Sequence, residues 1–139
     1  GTLDDLEDED LPVEVPEDVD LIDNIDDAAN AAAFDPARPN GVGDKLAPGG
    51  AWDFLGRGDA WRAFHFFHAA AVSSAAGQPL GVILRQEGRR YTARFGASAE
   101  RGDFGNGVFG GQSPYGLEAR DHEAIEAGAR WYRETYGDE

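Results

Sequence analysis

Three histidines are the residues of this chain best suited to acid–base or metal chemistry, because imidazole titrates near neutral pH and binds metals. His65 and His68 lie three positions apart, so a helix places both on one face. That spacing can present two ligands to a metal, but another ligand would have to come from His122 or a carboxylate. His122 falls on the exposed side of its predicted helix. We therefore expect no metal and take His65, His68 and His122 as candidate catalytic residues.

A glycine pattern at Gly105, Gly107 and Gly110 has the letters of a dinucleotide-binding fingerprint. In that fingerprint the glycines end a strand and open a helix whose N-terminus holds the pyrophosphate. Here no strand in such a context precedes them, and Gly111 and Pro114 interrupt any helix that would follow. A chain with 19 glycines also meets such a pattern by chance. We expect a tightly turned loop and no cofactor.

Arginines in a predicted β-hairpin are the strongest indication of a binding surface. Residues 80–86 and 89–95 alternate in polarity around Glu87-Gly88, which is typical of a short turn. One face of this hairpin would carry Arg85, Arg90 and Arg94. Guanidinium groups bind phosphates and carboxylates, so the face could hold a nucleic acid or the chain's own acidic segment. An ordinary solvated sheet face would have the same pattern.

Negative charge is concentrated at one end of the chain. Residues 1–27 hold thirteen carboxylates and neither Lys nor Arg. Of the net charge of −15, residues 1–40 carry −13. Such asymmetry indicates an interaction arm or a solvated linker. We predict that Asp18, Asp20 and Asp23 bind a basic protein or a basic patch.

The acidic segment and the rest of the chain are predicted to have different structures. Residues 1–16 contain Pro12 and Pro16 and no sustained apolar period, so we expect them to be flexible. A helix is predicted over about residues 17–33, with an apolar stripe too narrow to be stable without a surface to lie on. We divide the chain into an acidic arm at residues 1–40 and a compact domain at residues 41–139.

The predicted fold class is α+β. A helix from an Asp59 N-cap to about Ser74 is apolar nearly all round and should be central. The hairpin follows it, and one more short strand is predicted at Val108-Phe109. A last helix covers about residues 117–135. The chain would then be a single small domain behind an acidic arm.

Composition excludes several classes of function. Without cysteine, neither disulfides nor thiolate chemistry can occur. No apolar run approaches the roughly 20 residues that a membrane span needs, so we expect no membrane partner. The chain begins Gly1-Thr2 and contains no methionine, which we interpret as a piece of a longer protein.

Two functional hypotheses follow. The first is a protein-interaction module of the inhibitor, immunity or adaptor type, whose acidic arm engages a basic partner or the chain's own arginines. The second is an effector or toxin-like enzyme domain at the C-terminus of a larger protein. It would act on a nucleic acid or nucleotide, with arginines on the phosphates and a histidine as acid or base. A cleft that unites histidines with arginines would favour the second hypothesis.

Overall fold

The fold is described by a computed structural model at residue 11 and at residues 13–34, 43–46 and 49–136. Its helices are α1 (Leu21–Phe34), the single turn α2 (Gly43–Leu46), α3 (Arg62–Ala75), α4 (Leu80–Phe95) and α5 (Ala119–Tyr136). Short 3₁₀ turns occupy Phe54–Arg57, Asp59–Trp61 and Ala99–Arg101. The described residues form no strand, so the predicted α+β class is wrong and this part of the chain is mostly helical.

The predicted hairpin at residues 80–95 is the single helix α4. Its buried residues recur at helical rather than alternating spacing: Ile83, Leu84, Glu87, Gly88 and Tyr91. Glu87-Gly88 is therefore not a turn, and both residues are buried within the helix. Glycine is required there for a tertiary reason, because a Cβ atom on Gly88 would lie 1.7 Å from the carbonyl oxygen of Tyr115.

The predicted short strand at Val108-Phe109 is also wrong. Both residues lie in the loop between the last 3₁₀ turn and α5, where an isolated bridge joins Asp103 to Gln112. The side-chain oxygen of Asn106 accepts hydrogen bonds from the amides of Val108 and Phe109, each at 2.9 Å. Backbone groups that a strand would pair with a neighbour are thus satisfied within the loop.

Helix α3 is central, as its composition indicates. Every residue from Phe64 to Ser73 is buried. Phe64 and Phe67 belong to the core shared with α1, whereas Phe66 and Ala70 pack with α4 and α5. A helix surrounded on all sides needs no polar face, which explains its nearly continuous apolar sequence.

Asp59 does not cap α3. The helix begins at Arg62, after the 3₁₀ turn that contains Asp59. The Asp59 side chain is 77% exposed and lies 3.9 Å from the guanidinium groups of Arg62 and Arg120.

Helix α1 lies on α3 through a narrow apolar stripe. Leu21, Ile25 and Ala28 are buried in the core that α1 shares with α3. The helix begins at Leu21 instead of near residue 17, and Asp20 caps it by accepting the amide of Asp23 at 3.0 Å. Of the predicted flexible stretch at residues 1–16, residues 1–10 and 12 lie outside the described residues, as does the predicted boundary at residues 40–41. Leu11, Val13 and Val15, from the remainder of that stretch, pack against the core that α1 shares with α3.

Helices α3 and α5 approach closely at a glycine. A Cβ atom on Gly128 would come within 2.2 Å of the carbonyl oxygen of Phe67. Ile125, one turn earlier on α5, is fully buried in the same interface. Among the described helices, none combines the length and apolar character that crossing a bilayer requires.

Candidate functional site

Residues 14–27 carry a run of exposed carboxylates, which we call the acidic face. All of its acidic residues are exposed: Glu14, Glu17, Asp18, Asp20, Asp23, Asp26 and Asp27. The opposite side of the helical part is buried against α3. Asp23, Asp26 and Asp27 are therefore carried by a helix that the core holds in place, and the other four carboxylates lie in the segment directly before it.

Asp18 is the member of the acidic face that pairs with an arginine of the described chain. Its two carboxylate oxygens accept hydrogen bonds from Arg57 at 2.8 and 2.9 Å. These hydrogen bonds lower the pKa of Asp18 below its ordinary value. The contact fastens the residues before α1 to the turn before α3. Asp18 thus engages a basic residue of its own chain, but this residue is not one of the predicted arginines.

The remaining charges of the face repel one another. The negative charge of Asp20 is the first cause that raises the pKa of Asp23, with further contributions from partial desolvation and from Asp26 and Asp27. Asp23, Asp26 and Asp27 form no ion pair among the described residues. A nearby positive charge would relieve this repulsion.

The three predicted arginines do not form an open face. Arg85 donates to the carbonyl oxygens of Gly110 and Gly81, each at 2.8 Å. Arg90 pairs with Glu87. Arg94 donates to Asp53 at 2.9 Å. Because residues 80–95 are a helix, the predicted arginine-bearing sheet face does not exist, and each guanidinium is used within the fold.

A small cavity brings His65 together with Arg90 and Arg94, and we call its polar lining the Glu87 cluster. The cluster consists of His65, Glu87, Arg90, Tyr91 and Arg94. Its cavity volume is about 10 Å³, which is room for about one water molecule. The predicted histidine and arginines do meet, but the space between them does not admit a nucleotide.

The protonation states within the Glu87 cluster follow from burial. The amide of Leu55 donates to Nδ1 of His65 at 3.2 Å, so the neutral ring carries its proton on Nε2. That nitrogen lies 3.9 Å from Oε1 of Glu87. Burial lowers the pKa of His65 to about 4 and raises the pKa of Glu87, which the charge of Arg90 opposes. His65 is therefore neutral at physiological pH.

The other two histidines lie elsewhere. His68 is fully buried among Trp52, Phe54 and Phe64, with Nε2 at 2.9 Å from the side-chain amide of Asn24. Burial, with a smaller effect of His65, lowers the pKa of His68 to about 3.

His122 stacks on Tyr115 and lies 3.3 Å from Glu126. The three predicted catalytic histidines thus occupy three separate environments. No group of three potential metal ligands occurs in the part of the chain that the structure describes.

A second buried charge cluster, the Arg62 network, was not predicted. Arg62 donates to both carboxylate oxygens of Asp121, at 2.8 and 2.7 Å, and to the hydroxyl of Tyr91 at 2.7 Å. Tyr91 in turn donates to Glu118 at 2.8 Å. Burial alone would lower the pKa of Arg62, but its hydrogen bonds to Asp121 and Tyr91 raise it. The network joins the first turns of α3 and α5 to the C-terminal half of α4.

One sequence signal could have indicated this network. Asp121 falls on the apolar stripe of the predicted last helix, where an unpaired carboxylate is costly. The Oδ2 of Asp121 also accepts the amide of Glu118 at 3.3 Å, a capping contact at the start of α5. The arginine that completes the contact comes from α3, which local sequence does not reveal.

Comparison with known proteins gives no relative for this chain: no family model, no curated protein and no solved structure matches it. The function therefore has to be inferred from the two charge arrangements, the exposed acidic face and the paired interior clusters.

Proposed function

We propose that this chain is a protein-interaction module whose acidic face engages a basic protein. The observation that carries the proposal is the position of the carboxylates on α1. Asp23, Asp26 and Asp27 point away from a helix whose other side is buried on α3. Like charges held side by side cost free energy unless a cation approaches, and a basic partner supplies one.

The rigidity of the face supports binding rather than simple solubility. A solvated linker needs no ordered backbone, whereas α1 is capped by Asp20 and fastened through Asp18 to Arg57. A partner that meets an ordered charge array pays less conformational entropy than one that has to order a tail. Charge of this kind accelerates encounter and selects partners more than it adds affinity.

The distribution of arginines argues for a partner outside this chain. The chain's own Arg85, Arg90 and Arg94 are engaged by carbonyl or carboxylate groups near them. Arg57 engages Asp18 alone among the carboxylates of the face. In the part of the chain that the structure describes, the contacts between the acidic face and the chain's own arginines are therefore limited to the pair of Asp18 and Arg57. The other carboxylates of the face are left for another molecule.

The test compares two triple variants with the same net charge. The face variant carries Asp23→Asn, Asp26→Asn and Asp27→Asn. The control variant carries Glu100→Gln, Glu123→Gln and Glu134→Gln, which are exposed positions elsewhere. The probe is a ten-residue peptide of alternating Lys and Ala, titrated by calorimetry at low salt. We expect the face variant to bind at least about tenfold more weakly than wild type, and the control variant to bind nearly as wild type does.

Salt supplies the second readout of the same experiment. Binding by the wild-type chain should weaken steeply as the ionic strength rises, because exposed charges are screened over a Debye length of about 8 Å at physiological salt. If both triple variants lost affinity equally, binding would depend on net charge alone. The acidic face would then have no specific role, and the proposal would be rejected.

The enzyme hypothesis has one supporting observation, the meeting of His65 with Arg90 and Arg94 in the Glu87 cluster. Against it, the arginines neutralise Glu87 and Asp53, and the cavity holds about one water molecule. Incubation with labelled single-stranded RNA, duplex DNA and nucleoside triphosphates tests it directly. Turnover that disappears on His65→Gln in a folded variant would favour the enzyme, and absence of turnover would eliminate it.

A further inference from the structure

A loop of residues 102–116, which we call the glycine loop, displays two apolar side chains at its tip. Val108 is 52% exposed and Phe109 is 67% exposed. Exposing a phenylalanine ring to water is unfavourable, but single exposed apolar residues are common on protein surfaces and indicate no function by themselves. Two adjacent exposed apolar residues indicate a binding role more strongly when the loop holds them in an ordered conformation.

Hydrogen bonds hold the tip in one conformation. Asp103 and Gln112 exchange backbone hydrogen bonds at 2.9 and 2.8 Å, which closes the base of the loop. The amide of Asn106 donates to the carbonyl oxygen of Phe109 at 3.2 Å, and the Asn106 side chain accepts from the amides of Val108 and Phe109. The apolar pair is therefore presented by an ordered turn.

Glycines allow the backbone of this loop to pack closely on itself. Gly105 has φ of +65°, and a Cβ atom there would lie 2.5 Å from the carbonyl oxygen of Phe109. A Cβ atom on Gly111 would lie 2.2 Å from the carbonyl oxygen of Asp103. Side chains at these positions would force the loop open. The pattern thus builds the loop and does not open a helix toward a phosphate.

Arg85 fixes the position of the tip against α4. Its Nε donates to the carbonyl oxygen of Gly110, and its Nη1 donates to the carbonyl oxygen of Gly81, each at 2.8 Å. Its guanidinium also lies over the ring of Tyr115, 4.4 Å from the centroid. The tip is therefore tied beside the first turn of α4.

An open groove begins at the same turn. It has a volume of about 470 Å³ and lies between the end of α3, the start of α4 and the end of α5. Its lining includes Pro79, Leu80, Ala129, Tyr132, Arg133 and Tyr136. The volume is in the range of sites that bury small molecules or single aromatic anchors. Phe109 does not occupy it in its own chain, since most of that ring is exposed.

We propose that the tip and the groove are the two halves of a self-association surface, in which Phe109 of each copy inserts into the groove of a second copy. Both halves lie at the first turn of α4, because Leu80 lines the groove and Gly81 is linked through Arg85 to the tip. A two-fold axis near that turn lets both insertions occur at once, which is the self-complementary arrangement of a closed dimer.

The dimer is expected to be weak and concentration-dependent. Two inserted tips bury less area than the roughly 1,200–2,000 Å² of a standard stable interface. Each copy also carries a net charge of −15, which opposes association at low salt. Added salt should therefore maintain or strengthen this dimer, whereas it weakens binding through the acidic face. The two proposals consequently fail independently of each other.

Sedimentation velocity over two decades of protein concentration, at moderate salt, tests the dimer. The wild-type chain should move from monomer toward dimer. The Phe109→Ser variant should raise the dissociation constant at least about tenfold, since each dimer loses two buried rings. Phe95→Ser removes another exposed phenylalanine, 54% exposed and outside the glycine loop, and should dimerise as wild type does.

Cysteine trapping locates the contact, because the chain has no cysteine of its own. A Val108→Cys variant mixed with a Tyr132→Cys variant under mild oxidation should give a disulfide-linked heterodimer. The same mixture with Phe109→Ser added to both variants should give much less of it. Equal trapping in the two mixtures would overturn the proposed insertion.

Three other results would also overturn the proposal. The first is a wild-type chain that is monomeric at every concentration. The second is growth into species larger than a dimer, which a closed two-fold arrangement does not allow. The third is a monomer that floats with phosphatidylcholine vesicles unless Phe109 is replaced, because the tip would then serve a lipid surface.

Discussion

The Arg62 network and the acidic face are both rich in charge, yet they place that charge in opposite environments. Arg62 is 12% exposed and Asp121 is 1% exposed, and the pair shares two hydrogen bonds at the centre of three helices. Asp23, Asp26 and Asp27 face water without an ion pair among the described residues. In the interior, the charged pair links α3 to α5. On α1 the charge is available to another molecule.

The difference shows why net charge alone says little about function. In the interior clusters, opposite charges offset one another except for one negative charge: Arg62 and Arg90 face Asp121, Glu118 and Glu87. Burial makes such pairs sensitive to the loss of either member. Exposed charges tolerate replacement, because water and salt screen them. Substitutions in the interior clusters should therefore change folding stability, whereas substitutions on the acidic face should change binding.

The largest expected effect comes from breaking the Arg62 network. Arg62→Met leaves Asp121 buried without its partner and should lower the free energy of unfolding by about 3–5 kcal/mol, measured by urea denaturation. Arg57→Met removes the exposed partner of Asp18 and should unfold close to the wild-type midpoint. Similar losses in the two variants would remove the distinction between the regions.

A slightly smaller loss is expected from Gly88→Ala. The added Cβ atom would meet the backbone of Tyr115 at 1.7 Å, so α4 or the glycine loop has to move, at a cost of about 3 kcal/mol. Gly81→Ala in the same helix is the matched control, because its Cβ atom meets only the end of the Arg85 side chain at 3.0 Å. The control should be neutral or gain about 0.5 kcal/mol from helix propensity. A neutral Gly88→Ala would argue against the packing of α4 on the loop.

Acid should destabilise the interior through its histidines. The folded pKa values of His65 and His68 are about 4 and about 3, below the ordinary value of 6.5, so the unfolded chain binds more protons in that window. Their contribution to stability is complete above the ordinary value and is lost progressively as the pH falls from 6.5 through the folded values of about 4 and about 3. The raised pKa of Glu87 acts in the opposite direction, because its contribution is lost as the pH rises.

Replacing one titrating histidine isolates that contribution. His68→Gln keeps an acceptor for Asn24 but removes the imidazole, so its stability should depend less on pH. The slope between pH 7 and pH 5 should decrease by up to about 1.4 kcal/mol per pH unit, the value for one proton. Urea midpoints at several pH values give the slopes. Identical slopes in the variant and the wild type would show that His68 does not titrate between the two states.

The smallest effect is expected on the acidic face. Its neighbours raise the pKa of Asp23, so the charged form is disfavoured in the folded chain above that pKa. Asp23→Asn should therefore raise the thermal midpoint slightly at neutral pH and low salt, and the gain should disappear at high salt. A marked loss of stability would instead mean that Asp23 has a structural partner.

The sequence was informative where a feature depends on local composition. The central and last helices were recognisable from apolar residues at helical spacing, and the acidic face from the count of carboxylates near α1. Helix α4 was not recognisable, because Leu80, Leu84 and Tyr91 satisfy a strand alternation as well as a helical stripe. Glu87-Gly88 then resembled a turn, although Gly88 is required by Tyr115, a contact that no local pattern reveals.

The candidate site could be predicted only in part for the same reason. Asp18, Asp20 and Asp23 were identified by charge, and all three lie on the acidic face. The arginines were identified by type, but their partners depend on tertiary contacts. Asp53 meets Arg94, for example, from the turn before α3. Residue type indicates what a side chain can bind, and only the fold determines whether it is already occupied.

The most direct test of the central claim is to map where a basic partner touches the chain. Backbone amide spectra recorded by NMR during titration with the alternating Lys and Ala peptide give this residue by residue. We expect the largest shifts to fall within residues 14–27 and to disappear in the Asp23→Asn, Asp26→Asn, Asp27→Asn variant. Shifts centred elsewhere on the chain, or unchanged in that variant, would contradict the claim.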